Sequence, residues 1–160
     1  MKARFQILFG VTALVLLLDQ ATKIYVDRSM ALHSSITVVE NFFNITYLRN
    51  KGAAFGILAT SAFRLPFFIL VSAVAVCVIF TIINKLREDQ KLAAWSLSLI
   101  FSGALGNLID RVRLGEVIDF LYFHWYEHYW PAFNVADSAI CVGVALLALD
   151  MLVEERRTKA

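Results

Sequence analysis

The sequence predicts an all-α integral membrane protein of four transmembrane helices, with a small extracytoplasmic β-sheet formed by its two outer loops. Three observations carry that expectation. Hydrophobic residues make up 59% of the chain against 18% charged, whereas a soluble domain carries about a quarter charged residues. Four apolar stretches are each long enough for a bilayer, which asks for about 20 residues of helix. The loops between them are rich in β-branched and aromatic residues, the types that fit a pleated surface. A 160-residue chain has too little interior to hide so much apolar surface from water, so lipid must take the rest.

The first stretch covers residues 5–25. Its start, Met1-Lys-Ala-Arg4 before an apolar run, resembles a secretory leader. No small-x-small cleavage site closes it, however, and it continues through Asp19-Gln-Ala-Thr-Lys23. We read a retained anchor. The loop 27–62 follows, with Ser35-Ile-Thr-Val-Val-Glu40 and Phe42-Phe-Asn-Ile-Thr-Tyr-Leu48 as strand candidates. The second span is expected over 63–84, and the third over 92–108 with an extension to 111. In the second loop, 112–134, Gly115-Glu-Val-Ile-Asp-Phe-Leu-Tyr122 reads as a strand. Trp125, Tyr126, Tyr129 and Trp130 then supply an aromatic belt for the lipid–water boundary. The fourth span covers 135–153. With no repeat, low-complexity tract or linker, residues 1–160 are expected to be one domain.

Orientation follows the density of basic residues near span ends. Lys2 and Arg4, then Lys85, Arg87 and Lys91, then Arg156, Arg157 and Lys159 crowd short segments on one side. Arg28, Arg49, Lys51, Arg64, Arg111 and Arg113 are spread through longer loops on the other. The dense side is expected in the cytoplasm, with both termini. A net charge of +2, with no basic run interleaved with aromatics, gives no footprint for nucleic acid. Cys77 and Cys141 sit in separate apolar runs, as packing residues would, and suggest neither a disulfide nor a metal cage.

Charges inside spans cost roughly 2.5–3.5 kcal/mol each on insertion scales, so they need partners or a function. Here they gather at one face. Asp19 and Lys23 stand four residues apart near the outer end of the first span. Asn107, Asp110 and Arg111 share one side of the third, Asn134 and Asp137 open the fourth, and Asp119 lies in the preceding loop. Singly, each has an ordinary reading: an i,i+4 ion pair, a helix cap, an interfacial anchor, a solvated carboxylate. Their convergence is harder to explain that way. Two carboxylates in a poorly solvated place tend to share one proton. The ionised member then activates water while the protonated one donates to a carbonyl oxygen, which hydrolyses an amide without metal or covalent intermediate. Asp119 and Asp137 are the candidates, and Pro131 offers the bend that would turn the chain back between them.

Two rivals stand beside that reading. His124-Trp-Tyr-Glu127-His128 matches the inverted zinc-peptidase pattern, with Glu127 as base. That pattern requires a helix, and here it falls in a β-prone segment without a third ligand. Intramembrane acids also serve transporters and proton relays, although those place them near the midplane and often carry inverted repeats.

Five linked segments resemble the motif series of the bacterial lipoprotein signal peptidase family, signal peptidase II. They are Asp19-Gln-Ala-Thr-Lys23, Asn50-Lys-Gly-Ala-Ala-Phe55, Gly103-Ala-Leu-Gly-Asn-Leu-Ile-Asp-Arg111, Val117-Ile-Asp-Phe120 and Phe133-Asn-Val-Ala-Asp137. Order, spacing and span layout match over nearly the whole chain; Ser102 departs from a glycine common in the family. The resemblance implies a cofactor-free aspartyl endopeptidase of the inner membrane, with its site near the extracytoplasmic face. It would cut prolipoproteins before a cysteine carrying a thioether-linked diacylglycerol. Asp119 and Asp137 would be catalytic, and Asn107, Asp110, Arg111 and Asn134 would line and orient them. Asn50 would contact substrate, and Asp19 and Lys23 would support the site's architecture. Membrane lipids and the antibiotic globomycin are implied partners. Gly103 and Gly106 would let helices approach closely, and Lys51-Gly-Ala-Ala54 would shape a lid or a turn.

Overall fold

The computed structural model describes residues 2–52 and 63–159, without side chains for 156–159. The elements run α1 (Ala3–Ser29), β1 (Ser35–Val39), β2 (Phe43–Asn50), α2 (Arg64–Lys85), α3 (Lys91–Leu114), β3 (Val117–Trp125), β4 (His128–Tyr129) and α4 (Val135–Lys159). All four helices are long and apolar enough to cross a membrane. The protein is therefore a multi-pass membrane protein, as the apolar runs predict. Of the expected lid, Ala53 and Ala54 lie outside the described residues.

Burial ranks the helices. Half of the apolar window of α3 is buried inside the protein, against 6% for α2. The third helix is the hub and the second faces mostly outward. Glycines allow the close approach. A Cβ on Gly103 would collide with the carbonyl oxygen of Ala136 and lie 2.7 Å from Ile140 Cγ1; on Gly143 it would stand 2.7 Å from the Ser96 oxygen. At Gly106 it would meet Asp19 Oδ2 at 2.8 Å. An apolar cluster around Leu8, Ile83, Leu86, Ala93, Ala94 and Leu97 ties α1, α2 and α3 together at the end away from the sheet.

The sheet is antiparallel in the order β1-β2-β3-β4. Asn41, at φ 57°, turns the chain between β1 and β2. Gly115, at φ 74°, ends α3 in a left-handed cap whose N–H donates to the Arg111 oxygen at 3.0 Å. The strand then begins two residues later than Gly115 and runs to Trp125, carrying Asp119 as the strand expected over 115–122 implies. Beneath the sheet, Val26, Tyr47, Ile118 and Phe120 form a second apolar cluster.

Several expected boundaries move. The helices α1 and α3 extend to Ser29 and Leu114, which brings Asp27, Arg28 and Arg113 onto helices instead of into loops. Partners from other elements meet the charges of Asp27 and Arg113 there. Cys77 and Cys141 are free thiols on the outer surface of the bundle, not core packing residues.

Candidate active site

The polar cluster assembles around Lys23. This ammonium is 1% exposed and reaches Asp19 Oδ2 at 2.9 Å, Asp110 Oδ2 at 3.0 Å and Asn107 Oδ1 at 3.0 Å. A buried cation must have all its protons satisfied or it becomes a large liability, and three acceptors from α1 and α3 do this. Asp19 spends its other oxygen on α4, accepting from the Ala136 N–H at 2.9 Å. Asp110 Oδ2 also accepts from the Ile118 N–H at 3.2 Å, fixing the start of β3 to α3. One ion cluster therefore holds three helices and a strand.

The two candidate aspartates are linked to this cluster and to each other through amides. Phe133 pins the loop before α4 onto β3: its carbonyl accepts from the Phe120 and Leu121 N–H groups at 3.0 and 2.8 Å, and its N–H donates to the Leu121 oxygen at 3.0 Å. The next residue, Asn134, is fully buried and touches both acids. Its Nδ2 donates to Asp119 Oδ1 at 2.8 Å and its backbone N–H to Asp137 Oδ2 at 3.2 Å. Asn107 Nδ2 donates to Asp137 Oδ1 at 2.8 Å, and Asn50 Nδ2 to Asp119 Oδ2 at 2.9 Å. Each carboxyl oxygen thus accepts one amide and keeps a lone pair free.

Asp119 is buried and Asp137 partly buried. Burial pushes the Asp119 carboxyl up to about 7, and the charge of Asp137 adds to the rise; the Asn50 and Asn134 bonds and the Lys23 charge pull against it. Such a group holds a proton near neutral pH in a site where its neighbour can be ionised.

Eight of the nine residues singled out from the sequence form this one network. Arg111 is the exception. It donates to Ser72 Oγ at 3.3 Å and to the Asn107 oxygen at 3.4 Å, and its guanidinium lies over the Phe68 ring at 5.5 Å. It braces α3 against α2 and hydrogen-bonds neither candidate acid, and its charge acts on both through space. Gln20 is the residue that sequence reading passed over. Its Nε2 bridges Asp19 Oδ2 at 3.0 Å and Asp110 Oδ1 at 3.1 Å, while its Oε1 accepts from Arg113 at 3.0 Å. Its position between Asp19 and Lys23 was the available clue.

The zinc pattern is split by the sheet. His124 pairs with Tyr129 and Trp125 with His128; successive pairs alternate faces, so the two histidines project to opposite sides of the ribbon. His124 instead stacks on Tyr129 with centroids 5.6 Å apart. No cluster of three or more metal-ligating side chains occurs among the described residues.

Comparison with known proteins gives one consistent result. The family model described as Signal peptidase (SPase) II matches residues 11–153. The lipoprotein signal peptidase of Geobacter sulfurreducens is 65% identical over 157 residues, 98% of both chains. That of Pseudomonas putida is 43% identical over 145 residues, 89% of this chain and 85% of its own. A bacterial membrane enzyme solved in meso at 2.3 Å superposes with a TM-score of 0.84 and 34% identity, covering 92% of this chain and 88% of that one.

Proposed function

The chain belongs to the signal peptidase II family, an aspartic peptidase family whose members remove signal peptides from prolipoproteins, and from that premise we propose that Asp119 and Asp137 are its catalytic pair. One observation carries the reading: Asn134 bonds both carboxyl groups at once, at 2.8 Å and 3.2 Å. That fixes the separation of two acids whose free lone pairs can share a water.

Asp137, partly buried and anchored by Asn107, acts as the ionised base. Asp119, its pKa raised to about 7 by burial, holds the proton. Water gives a proton to Asp137 as its oxygen attacks the scissile carbonyl carbon, and Asp119 protonates the carbonyl oxygen. The tetrahedral diol then collapses. Asp137 passes its proton to the departing amine, and Asp119 recovers one from the diol. Both acids return to their starting states. Lys23, Asp19 and Asp110 never touch the reacting atoms; they keep α1, α3 and α4 in the geometry that the step needs.

The substrate is a prolipoprotein already carrying diacylglycerol on the cysteine after the cut. Its signal peptide is an apolar helix that enters sideways from the bilayer, which suits a site at the outer ends of the spans. We assign the chain to the bacterial cytoplasmic membrane as one domain. Both termini are cytoplasmic and the dyad is near the extracytoplasmic face, where globomycin would compete. The test is turnover of a diacylglyceryl-modified prolipoprotein by purified Asp119→Asn and Asp137→Asn variants. Both are expected to be inactive yet folded in detergent, and turnover by either would remove the dyad assignment.

A further inference from the structure

Asp27 sits in the last turn of α1, where the carbonyl end of a helix disfavours a carboxylate. Nothing within α1 explains it. Its partners come from β2: the Tyr47 phenol makes a short hydrogen bond to Asp27 Oδ1, and Arg49 Nη2 donates to the same oxygen at 2.8 Å. Arg49 Nε also donates to the Tyr47 oxygen at 2.8 Å. Tyr47 is 4% exposed, and burial together with the Asp27 bond pushes its phenol up, so it stays a donor. On the backbone, Tyr47 donates to the Ser34 oxygen at 3.0 Å and accepts from the His33 N–H at 2.8 Å.

This fixed residue lies where the ladder slips. Phe43, Asn44 and Ile45 pair with Phe123, Tyr122 and Leu121, but Leu48 pairs with Asp119, so Thr46 and Tyr47 together oppose Phe120. A bulge of this kind re-aims every side chain beyond it. Continued without the extra residue, the first register would set Tyr47 opposite Asp119 and Asn50 opposite Glu116. With it, Asn50 pairs with Val117, and its carboxamide reaches the diagonal neighbour on the same face, Asp119, at 2.9 Å.

Building on the reading of Asp119 as catalytic, we propose that Asp27, Tyr47 and Arg49 form a positioning clamp that locks the β2 bulge and thereby delivers Asn50 to Asp119. The clamp acts through Asn50 and touches no reacting atom.

The experiment compares Tyr47→Phe, Asn50→Ala and the double variant on a diacylglyceryl-modified prolipoprotein in detergent. Tyr47→Phe is expected to lower kcat roughly 10-fold with KM within about twofold, the mark of lost positioning. Its alkaline limb should move to higher pH, because the Asn50 bond lowers the Asp119 pKa while Asp137, Asn134, Lys23 and Arg111, which also act on that carboxyl, are unchanged. In the Asn50→Ala background the Tyr47 change should add nothing, since residues acting through one contact are not additive. Asp27→Asn keeps an oxygen acceptor for both donors and gives a milder form of the same pattern, which serves if Tyr47→Phe misfolds. Independent multiplication of the two effects, or wild-type kcat and pH limb in folded Tyr47→Phe, would overturn the clamp. Asp119→Asn runs alongside: turnover there removes the dyad, whereas an inactive Asp119→Asn beside a wild-type-like Tyr47→Phe removes the clamp alone.

Discussion

Asn134 and Asp137 cap one another: Asn134 Oδ1 accepts from the Asp137 N–H at 2.9 Å, and Asp137 Oδ2 accepts from the Asn134 N–H at 3.2 Å. This reciprocal box satisfies donors that would otherwise be orphaned at the start of α4. The ordinary capping reading of these residues is compatible with the catalytic one proposed above. The cap is what holds the Asp137 carboxyl in place.

The two roles separate by substitution. Asn134→Ser keeps a capping oxygen but loses the buried amide that reaches Asp119, so stability should fall by roughly 1–3 kcal/mol while kcat falls about 100-fold. Asn134→Ala should lose the same activity and about 1 kcal/mol more stability than the serine variant. Thermal unfolding in detergent beside turnover distinguishes them.

Activity should fall as pH rises through about 7, where Asp119 loses the proton it donates. The same shift has a stability consequence. A carboxyl whose folded pKa lies above its ordinary value of 3.8 binds more protons folded than unfolded. Its contribution is complete at low pH and declines as pH rises from about 4 to about 7. Asp119→Asn should lack that component of the pH slope, read from unfolding midpoints across the window.

Lys23→Met leaves Asp19 and Asp110 buried without their shared cation. Loss of about 3–5 kcal/mol is expected, as for a broken buried ion pair, with activity lost through unfolding rather than chemistry. Detergent unfolding curves at neutral pH check the magnitude.

Gly103→Ala drives a methyl into the Ala136 carbonyl and Ile140. Overpacking of this kind costs roughly 1–3 kcal/mol. Because α4 carries Asp137 one residue beyond Ala136, turnover should drop more steeply than stability.

Chelators should leave turnover intact, and so should His124→Ala. Inactivation by a zinc chelator that zinc reverses would instead favour the histidine reading.

The spans were legible because lipid leaves a long apolar record in composition, yet their outer ends were not. Reading α1 and α3 as stopping near Tyr25 and Arg111 assumed that Asp27 and Arg113 needed water. In the fold Asp27 finds Tyr47 and Arg49, and Arg113 finds Gln20. Such partners are invisible along the chain. The β3 strand showed in its β-branched run, whereas β4 did not: its turn uses Tyr126 at φ 50°, a residue type that gives no turn signal. That Asn134 would bond both Asp119 and Asp137 was likewise beyond their 18-residue spacing. It depends on the three backbone bonds of Phe133, which any residue type but proline could make.

Asp19 Oδ1 serves the Ala136 N–H across 117 positions of sequence. The segment translated first thus keeps an anionic acceptor waiting for an amide translated among the last. Until α4 docks, Lys23 and Gln20 hold the other oxygen of that carboxylate and this one lacks its partner. A chain halted before residue 135 would leave that acceptor unsatisfied, so the polar cluster closes only when α4 packs against α1.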